Sequence, residues 1–180
     1  MANLVGLTVL LARGDLCDKT ITKRMLTSFT QLTSLFLMDR NKYKITQITK
    51  LRELCMFNKR MDVDWIEELP NLTSLELETW PKYSPSTLTE STNLRHLTIR
   101  EYMPEHYHED IGRLTNLESL TLYGTEYHSC LSQLTKLTKL GVESLGNHDI
   151  LPSHIMSLFV YFSPTMRPSF SSLQALHIGN

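Results

Sequence analysis

Leu114-Thr115-Asn116-Leu117-Glu118-Ser119-Leu120-Thr121-Leu122 decides the fold. From Leu117 it reads Leu-x-x-Leu-x-Leu. The last two leucines alternate, so they point to one side of an extended strand. Leu117, three residues before Leu120, turns the chain into that strand. A single such edge is too small to be buried alone, so the stretch has meaning only if it recurs.

It does recur, with Ile, Val or Met standing in for some leucines. The copies are Leu4/Leu7/Val9, Leu32/Leu35/Leu37, Leu51/Leu54/Met56, Leu72/Leu75/Leu77, Leu94/Leu97/Ile99, Leu117/Leu120/Leu122, Leu137/Leu140/Val142, Ile155/Leu158/Val160 and Leu173/Leu176/Ile178. From Leu32 on, the leading residues lie 19, 21, 22, 23, 20, 18 and 18 residues apart, whereas the first interval is 28. A fixed period near 20 residues is the signature of a solenoid, in which neighbouring units share one continuous core.

A second stripe precedes the strands at spacing three: Ile45-x-x-Ile48 before Leu51, Ile66-x-x-Leu69 before Leu72, Ile111-x-x-Leu114 before Leu117, and Leu131-x-x-Leu134 before Leu137. That spacing predicts a tight 3₁₀ or short helical turn and is too brief for a packed amphipathic helix. A bundle of leucine-rich helices is the competing reading. Pro70, Pro81, Pro85, Pro104, Pro152, Pro164 and Pro168 lie between the strands and would break such helices.

Over nearly its full length the chain resembles the leucine-rich repeat family. The copies at Leu114–Leu122 and Leu134–Leu140 carry the resemblance best, and the short period with its Ile-x-x-Ile-x-x-Leu lead-in is similar to the internalin-type subclass. The resemblance implies an α/β solenoid, right-handed and curved, with parallel strands on a concave face and 3₁₀ turns on the convex side. It also implies an inward Asn three residues after the last strand leucine, laddering the turns. This sequence has Arg40, Lys59, Trp80, Tyr102, Thr125 and Leu145 there, a departure that implies an irregular stack. The expectation is one domain over residues 1–180, of about nine repeats. Neither end shows a polar cap, which suggests a fragment of a longer repeat protein or self-association through open ends.

Composition limits the function classes. The formal net charge is −1, and hydrophobic residues make up 41% against 21% charged. These values are ordinary for a globular chain and give no global field toward nucleic acid or an acidic membrane. Cys17, Cys55 and Cys130 are odd in number and far apart, which favours a reducing compartment and a cytoplasmic location. The apolar start, Met1 to Ala12, has no preceding basic residue and fits the repeat better than a signal peptide.

Residues between the leucines face outward on the concave side. They give Thr8, Leu10, Phe36, Met38, Cys55 and Phe57 near the N-terminus, then Glu76, Glu78, His96, Thr98, Arg100 and Glu101. Thr121, Tyr123, Lys139, Glu143, Phe159 and Tyr161 follow. Apolar and aromatic patches thus flank a charged centre, and such patches mark interaction surfaces. The acids Asp39, Glu53, Glu76, Glu78, Glu101 and Glu143 outnumber Arg100 and Lys139, so this face would repel nucleic acid. The expected partner is a polypeptide with basic and apolar groups. Phe36, Met38, Phe57, Glu76, Glu78, Arg100, Tyr123, Phe159 and Tyr161 are the expected contacts. The alternatives are a spacer segment of a longer array, or the substrate-recognition part of a larger complex.

One cluster invites metal chemistry. His108 and Asp110 recur one repeat later as His128 and Cys130, a donor set zinc accepts. Tyr107 and Tyr127 match as well, so repeat kinship explains the recurrence more simply. Arg13-Gly14-Asp15 and the sequon Asn71-Leu72-Thr73 are short enough to arise by chance. No Gly-rich phosphate loop, Gly-x-Ser-x-Gly elbow or paired zinc-binding His motif is present. The sequence therefore predicts no enzyme and no cofactor.

Overall fold

In the computed structural model, residues 6–13, 28–38, 45–57, 65–79, 88, 90–101, 108–123, 131–143, 151–161 and 173–178 are described. They fall in two compact units, Met1–Asn93 and Leu94–Asn180. The first contains β1 (Val9–Arg13), β2 (Ser34–Met38), β3 (Glu53–Met56) and β4 (Ser74–Leu77), each paired in parallel with the next. In the second, β5 (His96–Ile99), β6 (Ser119–Leu122), β7 (Lys139–Val142), β8 (Ser157–Val160) and β9 (Ala175–Ile178) pair in the same way. Both units are parallel strand-and-turn solenoids of the leucine-rich repeat type.

The registers align the leucines. Leu35, Leu54 and Leu75 are consecutive partners in the first unit, and Leu97, Leu120, Leu140 and Leu158 in the second. All of these are at most 2% exposed, as are the lead leucines Leu32, Leu51, Leu72, Leu94, Leu117 and Leu137. Burying a leucine fully is worth roughly 1.5–3 kcal/mol. The stacked core therefore outweighs any local strand propensity of four-residue segments.

The apolar stripes before the strands form the predicted 3₁₀ turns, and the stripe residues themselves make the bonds. Ile48 N–H donates to the Ile45 carbonyl (3.1 Å) and Leu51 N–H to that of Ile48 (3.0 Å). Leu114 to Ile111 and Leu117 to Leu114 repeat the pattern at 2.9 and 3.0 Å. A 3₁₀ turn (Ile66–Glu68) and a five-residue helix, α1 (His108–Gly112), lie on this side. Spacing three eclipses the side chains on one edge, which is why each stripe faces the core.

Strand entry has a recurring geometry. The Thr8 carbonyl accepts N–H bonds from both Thr33 (2.8 Å) and Ser34 (3.1 Å). Thr33, Arg52, Arg95, Glu118, Thr138 and Met156 each serve the next coil in the same way. Both lone pairs of each carbonyl are thereby used, where the chain leaves the turn and before the ladder begins.

The first repeat differs from its reading in the sequence. Leu10 pairs with Leu35 and Ala12 with Leu37, while Leu11 pairs with Phe36. The inward pair is therefore Leu10 and Ala12, and Leu7 takes the lead position in place of Leu4. A three-residue slip reverses the parity of a strand, so Leu10 is not an outward residue. Val9 and Leu11 are, at 53% and 55% exposed. The run Val9 to Ala12 is apolar in both parities, so only pairing selects one.

At the other end, Leu176 and Ile178 hold the inward register opposite Leu158 and Val160. They nevertheless remain 46% and 56% exposed.

Candidate functional site: the outward strand face

Side chains between the core leucines line up across the strands. In the first unit the central row runs Leu11, Phe36, Cys55 and Glu76. Backbone bonds from Phe57 N–H to the Leu37 carbonyl (2.9 Å) and from Glu78 N–H to that of Met56 (3.1 Å) extend the ladder. They bring Met38, Phe57 and Glu78 into a second row. Phe36, Met38, Phe57, Glu76 and Glu78 are half-buried. Cys55, although on the outward register, is only 5% exposed. Its small side chain sits in the row between Phe36 and Glu76, about 4.8 Å from each strand neighbour. Ser34 Oγ donates to Glu53 Oε2 (2.9 Å), which anchors an acidic edge.

The second unit's central row is Thr98, Thr121, Gly141, Phe159 and His177. Phe159 is 37% exposed, and its ring stacks on His177 with centroids 4.4 Å apart and planes within 7°. Beyond the strand ends, Tyr123 N–H bonds to the Ile99 carbonyl and Tyr161 N–H to that of Val142, at 3.2 and 3.0 Å. The rings of Tyr123 and Tyr161 stack at 4.9 Å. Arg100 is exposed, and Glu143 is half-exposed.

Gly141 interrupts the central row. A Cβ there would lie 2.7 Å from Thr121 Oγ1 and 3.0 Å from its Cγ2, so Thr121 leans over the glycine. What remains is a notch of about 200 Å³ lined by Ser119, Thr121, Lys139, Leu140, Gly141, Phe159 and Tyr161. Gly141, His177 and Leu11 were not among the residues picked from the sequence. Gly141 and His177 occupy the x of Leu140-x-Val142 and Leu176-x-Ile178, so position alone marks them as outward.

A second row missed in the sequence lies just before the lead leucines. Asn71 Nδ2 donates to the Thr49 carbonyl and Asn93 Nδ2 to that of Pro70, both at 2.7 Å. Lys50 Nζ donates to Gln31 Oε1 (2.6 Å), and Lys136 Nζ to Asn116 Oδ1. One position after the lead leucine, Arg95 and Glu118 form an ion pair between neighbouring coils. The repeated Asn-Leu of 71–72, 93–94 and 116–117 was the available signal. The positions where the resemblance implied a ladder, Arg40 to Leu145, lie outside the described residues.

The proposed metal grid is not assembled by what is described. His128 and Cys130 lie outside the described residues, as does the side chain of His108, and Asp110 is half-exposed on α1. No group of three metal-ligating side chains occurs among the described residues. Nor is any described helix long and apolar enough to cross a membrane.

No protein-family model matches the chain, and no curated protein does. Solved structures do. An internalin (InlF) from Listeria monocytogenes superposes with a TM-score of 0.65 at 24% identity, over 86% of this chain and 50% of that one. Internalin C2 from the same organism gives 0.58 at 20% identity, over 86% and 74%. A leucine-rich repeat protein of Leptospira interrogans gives 0.52 at 16%, over 87% and 57%. The chain thus has the leucine-rich repeat fold of the internalins and spans half the length of the first of these structures.

Proposed function

We propose that this chain is a recognition module that binds a polypeptide through the outward face of its strands. One observation carries the reading: the second unit holds Phe159, Tyr123 and Tyr161 in stacked, partly exposed positions beside an open notch. Aromatic anchors of this kind, rigid and already ordered, dominate protein-binding energy. The first unit supplies the apolar group Leu11, Phe36, Met38 and Phe57, edged by Glu53, Glu76 and Glu78. A partner with apolar anchors and basic groups complements that edge, whereas a nucleic acid would be repelled. The likeness to internalins supports a binding scaffold and leaves the partner open. We read the chain as a binding protein rather than an enzyme, on the strength of its exposed aromatic rows. The cytoplasmic setting rests on cysteine usage alone, and cell fractionation tests it.

The test is capture from native cell extract, comparing wild type with a Phe36→Ser, Phe57→Ser, Tyr123→Ser variant of equal circular dichroism. A protein held by wild type and lost by the variant supports recognition by this face. Equal retention by both would overturn recognition by this face and move attention to the turn side of the coils or the open ends.

A further inference from the structure

We infer that the Gly141 notch is a subsite for one large apolar side chain of a polypeptide, with a carboxylate of the same segment lying over Lys139. The inference rests on the polypeptide-binding reading and specifies what that face takes at one place. Size comes first. At about 200 Å³, the notch falls short of the roughly 300–1,000 Å³ typical of small-molecule pockets. It matches a single side chain entering from an extended segment.

Its walls set the chemistry. Phe159 and Tyr161 form one side, each braced by a stacked ring, His177 and Tyr123 respectively. Rings held in this way lose little rotamer freedom on binding. The floor is Gly141, which has no side chain of its own, with the Thr121 side chain leaning over it. A side chain entering here meets the Thr121 side chain and the two rings, with no β7 side chain protruding between them.

Charge fixes the orientation. Lys139 precedes Gly141 by two residues and Glu143 follows it by two, about 7 Å to either side along the strand. Lys139 is exposed and has no ion-pair partner among the described residues, and Glu118, one coil away, is engaged by Arg95. The end of the notch at strand entry is thus cationic and flanked by the Ser119 hydroxyl, which suits a carboxylate. The opposite end carries Glu143 and repels one. A single lysine is too little for a phosphate backbone.

Amide resonances of the ¹⁵N-labelled full chain would be followed while adding three synthetic peptides: Gly-Ser-Phe-Gly-Asp-Gly, its Phe→Ala form and its Asp→Lys form. The expected result is shifts confined to Ser119, Thr121, Lys139, Gly141, Phe159 and Tyr161. Binding should be about tenfold weaker without the ring and roughly threefold weaker with the charge reversed. Gly141→Val should abolish the shifts by filling the notch. Lys139→Glu, which alters an exposed side chain and leaves the core intact, should invert the preference between Asp and Lys peptides. Shifts that spread over the chain, equal response to all three peptides, or an unchanged preference in Lys139→Glu would each overturn the inference. So would the same shifts appearing with protein concentration alone, which would make the occupant a second copy. Capture by the outward face that persists while the notch ignores all three peptides would overturn the subsite and leave the wider reading standing.

Discussion

Asn93 donates from Nδ2 to the carbonyl oxygen of Pro70, one coil earlier, at 2.7 Å. Asn71 makes the same bond to Thr49. The amides therefore tie successive turns together from outside, just before each lead leucine enters the core. Because Asn71 is exposed, Asn71→Ala should lower stability by about 0.5–1 kcal/mol. Asn71→Asp should cost more, since it sets a carboxylate oxygen against a carbonyl oxygen. Urea midpoints at constant m-value test both, and identical midpoints for all three proteins would dismiss the ladder.

The register of β1 makes a parity test possible. Leu10→Ser should destabilise the chain clearly, because Leu10 faces the core opposite Leu35. Leu11→Ser, at a residue 55% exposed, should stay within about 0.5 kcal/mol of wild type. If thermal melts reverse that order, the pairing of β1 is wrong.

Core leucines should be far less forgiving than their exposed neighbours. Leu120 is 0% exposed and Met156 38%. Leu120→Ala is expected to cost about 2–5 kcal/mol, and Met156→Ala about 0.5 or less. Equilibrium denaturation of the two variants side by side distinguishes a stacked core from a loose one.

Gly141 and Thr121 should be coupled. Gly141→Ala brings a Cβ to 2.7 Å from Thr121 Oγ1, and overpacking of this kind costs about 1–3 kcal/mol. Adding Thr121→Ala removes the two closest atoms and should restore much of the loss. A double-mutant cycle reads the coupling, and strict additivity would show that the two residues do not meet.

Cys55 is 5% exposed, so its thiol should resist alkylation in the native protein and react readily in urea. Mass spectrometry of the peptide containing Cys55 measures both rates. Rapid native labelling would mean that this row opens more than its packing suggests.

Most of the architecture is legible in the sequence, because leucine spacing states which side of a strand is buried. Leu120 and Leu122, alternating with Ser119 and Thr121, leave no second parity to choose. The stripe Ile45, Ile48, Leu51 likewise announced a tight 3₁₀ or short helical turn, since such turns place every third residue on one edge. The site was less legible. Phe36, Phe57, Tyr123, Phe159 and Tyr161 were placed on the outward face by position, but a repeat pattern does not say which of them touch. Gly141 passed unnoticed because an absent side chain has no hydropathy.

The sequence by itself determined the period, the parallel strands and the core, because these follow from short-range spacing repeated many times. Tertiary structure decided whatever depended on a neighbouring coil. Leu10 or Leu11 could each have been the inward residue of β1 until pairing with Leu35 and Phe36 chose between them. The Asn71 and Asn93 bonds, the Tyr123–Tyr161 stack and the notch over Gly141 join residues about one or two repeats apart. Such contacts exist only once the coils are stacked, since local sequence fixes direction along a strand and not the distance across strands.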